Sequence, residues 1–454
     1  MKERFMTDKS FYKTVIAITI PIALQMVISF GVNVMDSVML GTLGDLAISG
    51  ASLGGQPFYL LMGLGFGLSS GGTVLISQYW GKGNKDAIRR IMTLSMWFVI
   101  IASFLFSAAC ILFPRQIMGA YSKDPEVIEA ATQYLQVLAI GFMFYSISNN
   151  YLSSLRAVES VKVATIIYII SFFVNVGANY TFIYGNFGMP RLEIRGAALG
   201  TVIARMSEFL LAFLYMRFKE NKIGFRLKDL WRFDKGLLKD YVTNALPVVG
   251  NEMLWSLGST VMAMVIGRVG AGFVAANSIA GVIWQLANLF VIGIANASAV
   301  VTGKAIGEGR EEEAQKISNS LQLMGLLAGV FAGLIIIILR GPFVGLYDIS
   351  PATRDLAMQI IAIQALMQPV IALDIICTIG ILRGGGDTTM AFILDCGALW
   401  LVGVPLGIVT GLVWHWAPPL VWLMMKMDSP VKVFLIFLRL RSGKWIKNVA
   451  RDDV

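Results

Sequence analysis

Apolar runs about 20 residues long recur along the whole of this 454-residue chain, and no other feature constrains its fold as tightly. Crossing about 30 Å of hydrocarbon takes about 20 residues of α-helix, and a backbone inside lipid must satisfy its own hydrogen bonds. Twelve such runs are legible: 14–40, 50–77, 91–113, 128–153, 163–184, 194–216, 240–266, 272–303, 318–339, 356–382, 389–411 and 417–438. The gaps between them leave no room for a water-soluble domain. Charged residues make up 14% of the chain, against about 25% in an average soluble protein. The chain reads as an all-α integral membrane protein with twelve transmembrane helices.

A net charge of +9 would suit a nucleic-acid partner, but its distribution excludes one. With both termini placed in the cytoplasm, the cytoplasmic segments hold 27 Lys and Arg and the outer loops hold 7. Three more, Arg205, Lys426 and Lys432, lie within the last span of each half. That asymmetry is the positive-inside pattern of a multi-pass protein of the cell membrane. The start, "MKERFMTDKSFYK", is basic and runs into a long span without a small-residue cleavage site, so it reads as a retained first helix. Cys110, Cys377 and Cys396 fall inside apolar runs and show no disulfide or metal spacing.

The chain is also written twice. Residues 21–44 align without a gap to 247–270, carrying Pro21 onto Pro247, Gly41 onto Gly267 and Gly44 onto Gly270. The same offset of 226 carries Gly67 onto Gly293 and "GKG" at 81–83 onto "GEG" at 307–309. One residue further out, "SSLRAVES" at 153–160 meets "GILRGGGD" at 380–387. The expected organisation is a six-helix lobe over 1–216, a basic cytoplasmic linker over 217–239 and a second six-helix lobe over 240–454. An even number of spans per copy makes these parallel repeats, related by a pseudo-two-fold axis along the membrane normal. Repeats of this kind build a cleft, and one lobe rocks against the other.

The paired prolines, the "GxG" loops after the second and eighth spans, and "LRGGGDT" at 382–388 resemble the multidrug and toxic compound extrusion (MATE) family over essentially the whole chain. The resemblance implies a secondary antiporter. It would expel small organic compounds, often cations, while H⁺ or Na⁺ flows inward, with no other cofactor.

The intramembrane carboxylates are the natural candidates for ion coupling, since a charge at mid-bilayer costs about 2.5–3.5 kcal/mol on insertion scales and marks function. They are Asp36, Glu252, Asp374 and Asp395, with Glu208 and Asp428 nearer the ends of helices six and twelve. They outnumber the basic residues in the spans, so they are expected to lack fixed counter-charges, as a cycling cation requires. Gln25, Ser29, Asn33 and Asp36 fall within an arc of about 80° on one helix. Asn175 and Asn179 share a face of the fifth span. Proton-coupled relatives pair the first-helix aspartate with Asn-x-x-x-Asp on the fifth helix. Asn175 matches that asparagine, whereas Asn179 stands where the aspartate is expected, so Asp36 would have to titrate alone. Some relatives instead hold a cation with a glutamate on helix seven and an aspartate on helix ten. Glu252 and Asp374 occupy those helices, at spacings that differ by up to about a turn, and Asp395 on helix eleven is a third oxygen donor. A transient Na⁺ at Glu252 and Asp374 is the one metal site this implies.

Glu208 and Asp428 read as structural partners of nearby Arg205 and Lys426, and Asp387 as the cap of helix eleven. Met26, Met35, Tyr145, Met253, Trp255, Trp284 and Asn288 are the candidates for an adaptable cavity wall. His415, beside Trp414 and Trp416, reads as a belt residue. No "GxxxxGK[ST]" loop or "HExxH" motif is present, so neither ATP nor intramembrane hydrolysis is expected, and "GGGDTT" is a tight turn. The expected protein is a monomer in the lipid bilayer, an antiporter and not an enzyme. The alternative is a flippase for a lipid-linked saccharide or another amphipathic metabolite, against which the acidic interior counts.

Overall fold

The computed structural model describes residues 4–451. Each of the twelve expected runs is helical, and no strand occurs among the described residues. In chain order the helices of the first half are α1 (Lys9–Gly41), α2 (Asp45–Gly54), α3 (Gln56–Gly81), α4 (Lys85–Leu112), α5 (Pro114–Gly119), α6 (Pro125–Leu138), α7 (Gly141–Ala157), α8 (Lys162–Tyr184) and α9 (Glu193–Phe218). The second half adds α10 (Lys235–Val269), α11 (Ala271–Gly307), α12 (Glu311–Val344), α13 (Pro351–Ile375), α14 (Thr388–Ala398), α15 (Val404–Ile408), α16 (Pro418–Met425) and α17 (Asp428–Arg441).

Among the described residues nine helical spans are long and apolar enough to cross a membrane, ten when the bent pair α6–α7 is one span. The two expected spans outside that count are α10, which carries Asp240, Glu252 and Arg268, and the interrupted α16–α17. Both interruptions have local causes. Ser107 donates to the Ala139 carbonyl at 2.7 Å, drawing it out of the helical ladder where α6 and α7 meet at 51°. Between α16 and α17, Pro430 offers no N–H and its ring excludes the Lys426 carbonyl four residues back.

Two compact units emerge. One contains Leu24–Ile76 and Asn84–Ala245; the other contains the described residues of Met1–Ala23, Ser77–Gly83 and Leu246–Val454. The chain therefore passes from one to the other inside α1, just after Pro21, inside α3 after Ile76, again after Gly83, and inside α10, just before Pro247. The core of the first unit is built around Phe58, Leu135, Phe142 and Ile183. That of the second is built around Phe273, Ile360, Leu399 and Trp422. In the second unit, Gly325, Gly329 and Gly333 line one face of α12, and a Cβ on Gly329 would lie 2.6 Å from the Pro369 Cα of α13. Small residues at four-residue spacing are what close packing in lipid uses.

The duplication is visible in the backbone. The turn after α3 and the turn after α11 place Gly83 and Gly309 at φ 72° and 75°. The matched turns after α7 and at 383–387 place Glu159 and Gly386 at φ 58° and 83°. Each of this second pair is closed by a bond reaching five residues back, Ser160 N–H to Leu155 O at 2.8 Å and Asp387 N–H to Leu382 O at 3.0 Å.

Candidate functional site

The first unit holds one group of polar side chains on α1, α8 and α9. The expected polar stripe of α1 divides. Gln25 is buried and donates to Thr165 Oγ1 at 3.0 Å on α8, and its Oε1 accepts from Arg156 at 3.4 Å. Ser29 bonds back to the Gln25 carbonyl at 3.0 Å, while Asn33 is exposed. One turn further on, Asp36 accepts from the Asn179 amide, and Asn179 also reaches Asn175 Oδ1 at 3.4 Å. Asn175 and Asn179 are buried. Asn179 fits because residue 200 on α9 is glycine; a Cβ there would run into its side chain. The sequence-predicted trio Asp36, Asn175 and Asn179 is thus brought together.

Beside it, Arg205 pairs with Glu208 at 2.7 Å on the same helix, and Ser171 donates to Glu208 at 2.8 Å. The guanidinium lies over the Tyr145 ring at 5.1 Å. A cavity of about 20 Å³ between Ser29, Asn175, Thr201 and Arg205 has room for one water. Tyr145, expected in a cavity wall, is buried edge-on against Phe58 at 4.9 Å. Among the described residues no cation lies within ion-pair distance of Asp36, which is partly exposed.

The second unit corrects one expectation. Glu252, Asp374 and Asp395 do not stand without fixed counter-charges. Arg383, buried at the end of the π-helical turn Ile376–Leu382, pairs with Glu252 at 3.1 Å. Lys432 of α17 pairs with Asp374 at 2.8 Å and also with Asp395. Thr378 and Ser429 donate to the two oxygens of Asp374 at 3.2 and 3.1 Å, and Asn251 donates to Asp395 Oδ2 at 2.8 Å. The widened turn separates Asp374 from Arg383 so that one meets Lys432 and the other faces α10. Counting carboxylates against bases missed this, because Lys432 was read as a residue of the last span and its direction was not legible.

Asp387 corrects another. It stands at the start of α14 but makes no side-chain cap bond; its carboxylate is taken by Arg439 at 2.8 Å and Lys447 at 2.6 Å. Two cations outcompete the neutral N–H groups of a helix end. The same tail is held by Gln78 of α3, which donates to Lys447 O at 3.0 Å and accepts from the Val449 N–H at 2.8 Å.

A family model described as MatE matches residues 21–181 and 247–435, two stretches that begin at the paired Pro21 and Pro247. The chain belongs to the MatE family. The family comprises membrane transporters, not enzymes. A relative named probable multidrug resistance protein NorM, from Thermotoga maritima, is 26% identical and covers 96% of this chain and 93% of its own. Multidrug resistance protein MdtK of Photorhabdus laumondii is 25% identical, covering 94% of each chain. The fold is also similar to a structure described as the outward-facing conformation of a multidrug resistance MATE family transporter, with TM-score 0.88, 18% identity and 96% of each chain covered. A MOP superfamily transporter from Pyrococcus furiosus, described by a reversed polarity of its binding pocket, superposes with TM-score 0.86 at 18% identity, covering 95% of this chain and 96% of its own.

Within this MatE chain the remaining candidates scatter. Asn288 is buried between α11 and α13, accepting from Gln368 at 3.0 Å. Trp284, Met26 and Met35 are half-buried, and Met253 and Trp255 are exposed on α10. Three bases in these ion pairs are absent from the sequence-derived site residues: Arg383 and Lys432, both buried, and Arg205, partly buried. Arg205 and Lys432 are 227 residues apart, the offset that carries 153–160 onto 380–387. Each copy therefore supplies an ion-paired cation from the matching position of its last span, Arg205 partly buried and Lys432 buried, and the repeat itself was the signal that could have found these two.

Proposed function

We propose that this MatE protein is a secondary antiporter that exports small organic compounds, often cations, in exchange for inward H⁺ or Na⁺ by alternating access. The duplicated halves 1–216 and 240–454, joined by 217–239, are its two lobes. It works as a monomer in the cell membrane with both termini in the cytoplasm, and without ATP. The multidrug-resistance names of its relatives support the substrate class.

The observation that carries the coupling is Asp36: an aspartate inside a membrane span whose described partner is an amide and not a cation. Such a carboxylate can take up and release a positive ion where a paired one cannot. Asn179 suits both charge states. An amide donates N–H to a carboxylate and accepts O–H from a carboxylic acid, so a second aspartate is not required. For an uncharged solute, one charge moving down 100 mV releases about 2.3 kcal/mol, enough for more than a tenfold gradient; a monovalent cation exchanged one for one moves no net charge and is driven by the concentration gradient of the coupling ion. Arg205, Arg383 and Lys432 are already paired with carboxylates, which leaves little to hold the pyrophosphate of a lipid-linked saccharide.

Ethidium efflux from cells carrying Asp36→Asn tests the proposal. Efflux falls to the background of cells lacking the protein while membrane expression is kept. A normal rate from a well-expressed variant overturns the assignment.

A further inference from the structure

We propose that Lys432 is a tethered counter-cation that fills the Asp374–Asp395 pair, closes it to alkali-metal ions and so removes the second unit as a sodium site. The inference rests on the cation-coupled reading above and leaves Asp36 as the carboxylate at which the ion couples.

The geometry is that of an occupied cation site. The ammonium bonds one oxygen of each aspartate, with both carboxylates and the lysine buried. All four carboxylate oxygens face a donor: Thr378 on Asp374 Oδ1, Ser429 and Lys432 on Asp374 Oδ2, Lys432 on Asp395 Oδ1 and Asn251 on Asp395 Oδ2. A hard cation needs oxygen lone pairs that are not turned toward N–H or O–H, and its electrostatic minimum between the two carboxylates is where Nζ sits. Among the described residues no group of three His, Cys, Asp or Glu is placed to hold a metal ion.

The surrounding charges make the lysine decisive. Asp428, one turn back on α17, is buried with Oδ1 unpartnered. Glu252 is taken by Arg383, and the flanking Cys377 and Cys396 thiols are free and buried. Without the ammonium, Asp374 and Asp395 would face each other in low dielectric with no fixed cation between them, a strong attractor for a mobile one. The matched base of the other copy behaves differently. Arg205 is bound to Glu208 on its own helix, which leaves Asp36 to the coupling ion.

The test is binding of radioactive sodium to the purified full-length chain in detergent, read by scintillation proximity. The wild type and Lys432→Arg are expected to show no saturable binding. Lys432→Met gains it, rising at least about tenfold over wild type, and Lys432→Met/Asp374→Asn loses it again. Because Lys432→Met can fail to fold, Lys432→Gln, which removes the charge but keeps a polar group between the two aspartates, is the second gain-of-binding variant, and monodisperse elution certifies each. Saturable sodium binding in the wild type that Asp374→Asn removes overturns the proposal, as does its absence from folded Lys432→Met and Lys432→Gln. Exchange of ethidium in proteoliposomes is a separate measurement. Failure of the wild type under a pH gradient and under a sodium gradient sinks the antiport reading and leaves the sodium-binding result standing.

Discussion

Arg383 and Arg156 are matched residues of the two copies, and each reaches back to the first helix of its own half: Arg156 to Gln25 at 3.4 Å, Arg383 to Glu252 at 3.1 Å. In the second copy the contact is an ion pair with a nearly inaccessible guanidinium, 3% exposed. Breaking such a pair by removing one partner strands a buried charge and costs about 3–5 kcal/mol, whereas removing both is far milder. Arg383→Met should therefore lower the melting temperature in detergent by much more than Glu252→Gln/Arg383→Met does, as read by a fluorescence thermal-shift assay. If the double variant loses as much as the two single ones added together, the side chains do not interact.

At the scale of the element, the helices end and bend where a named group competes for their backbone bonds. α10 is a clear case. Asp234, directly before it, accepts from the Gly236 and Leu237 N–H groups at 2.8 and 3.2 Å, and its other oxygen accepts from Arg90 at 2.9 Å. These bonds, the Leu237 N–H foremost, hold its carboxyl below the ordinary range. The sign follows: the folded state prefers the ionised form, so this stabilisation is present at neutral pH and lost as the pH falls through the depressed value. Asp234→Ala is expected to cost about 0.5–2 kcal/mol at neutral pH, and the gap from wild type should close in acid. A gap that stayed constant down to acid pH would show that the carboxylate is not the cap. The bend between α6 and α7 and the π-helical turn after α13 were not legible in a run of apolar residues, because hydropathy does not register which carbonyl a serine draws away. The twelve helical runs were legible, since length and apolarity alone specify them.

For the whole molecule, charge asymmetry makes the strongest prediction. The basic stretch 217–239 should face the cytoplasm, and the loop around Phe187 should face outward. Both Trp231 and Phe187 are more than four-fifths exposed, and the three native cysteines are buried. A membrane-impermeant maleimide should label Phe187→Cys in intact cells and Trp231→Cys only in inside-out vesicles. Labelling of Trp231→Cys in intact cells would invert the topology. The duplication was equally legible at this scale, and the matched turns at Gly83 and Gly309 carry it into the backbone.

Composition, hydropathy and the repeat determined that this chain is a duplicated helical membrane protein, because a bilayer punishes any other arrangement of such residues. The family likeness rested on the paired prolines, the "GxG" loops and "LRGGGDT", and it was that resemblance, with Asn175 and Asn179 on one helix face, that brought Asp36, Asn175 and Asn179 into one hypothesis. What only the tertiary structure decided is which carboxylates have cations. Arg383 lies 131 residues from Glu252, and Lys432 lies 37 from Asp395, so each pairing depends on how a helix is rotated about its own axis. Apolar flanks exposed to lipid leave that rotation to packing against neighbouring helices, and it is there that the row of acids divides into Glu208, Glu252, Asp374 and Asp395, each paired with a cation, and Asp36 and Asp428, which are in no ion pair among the described residues.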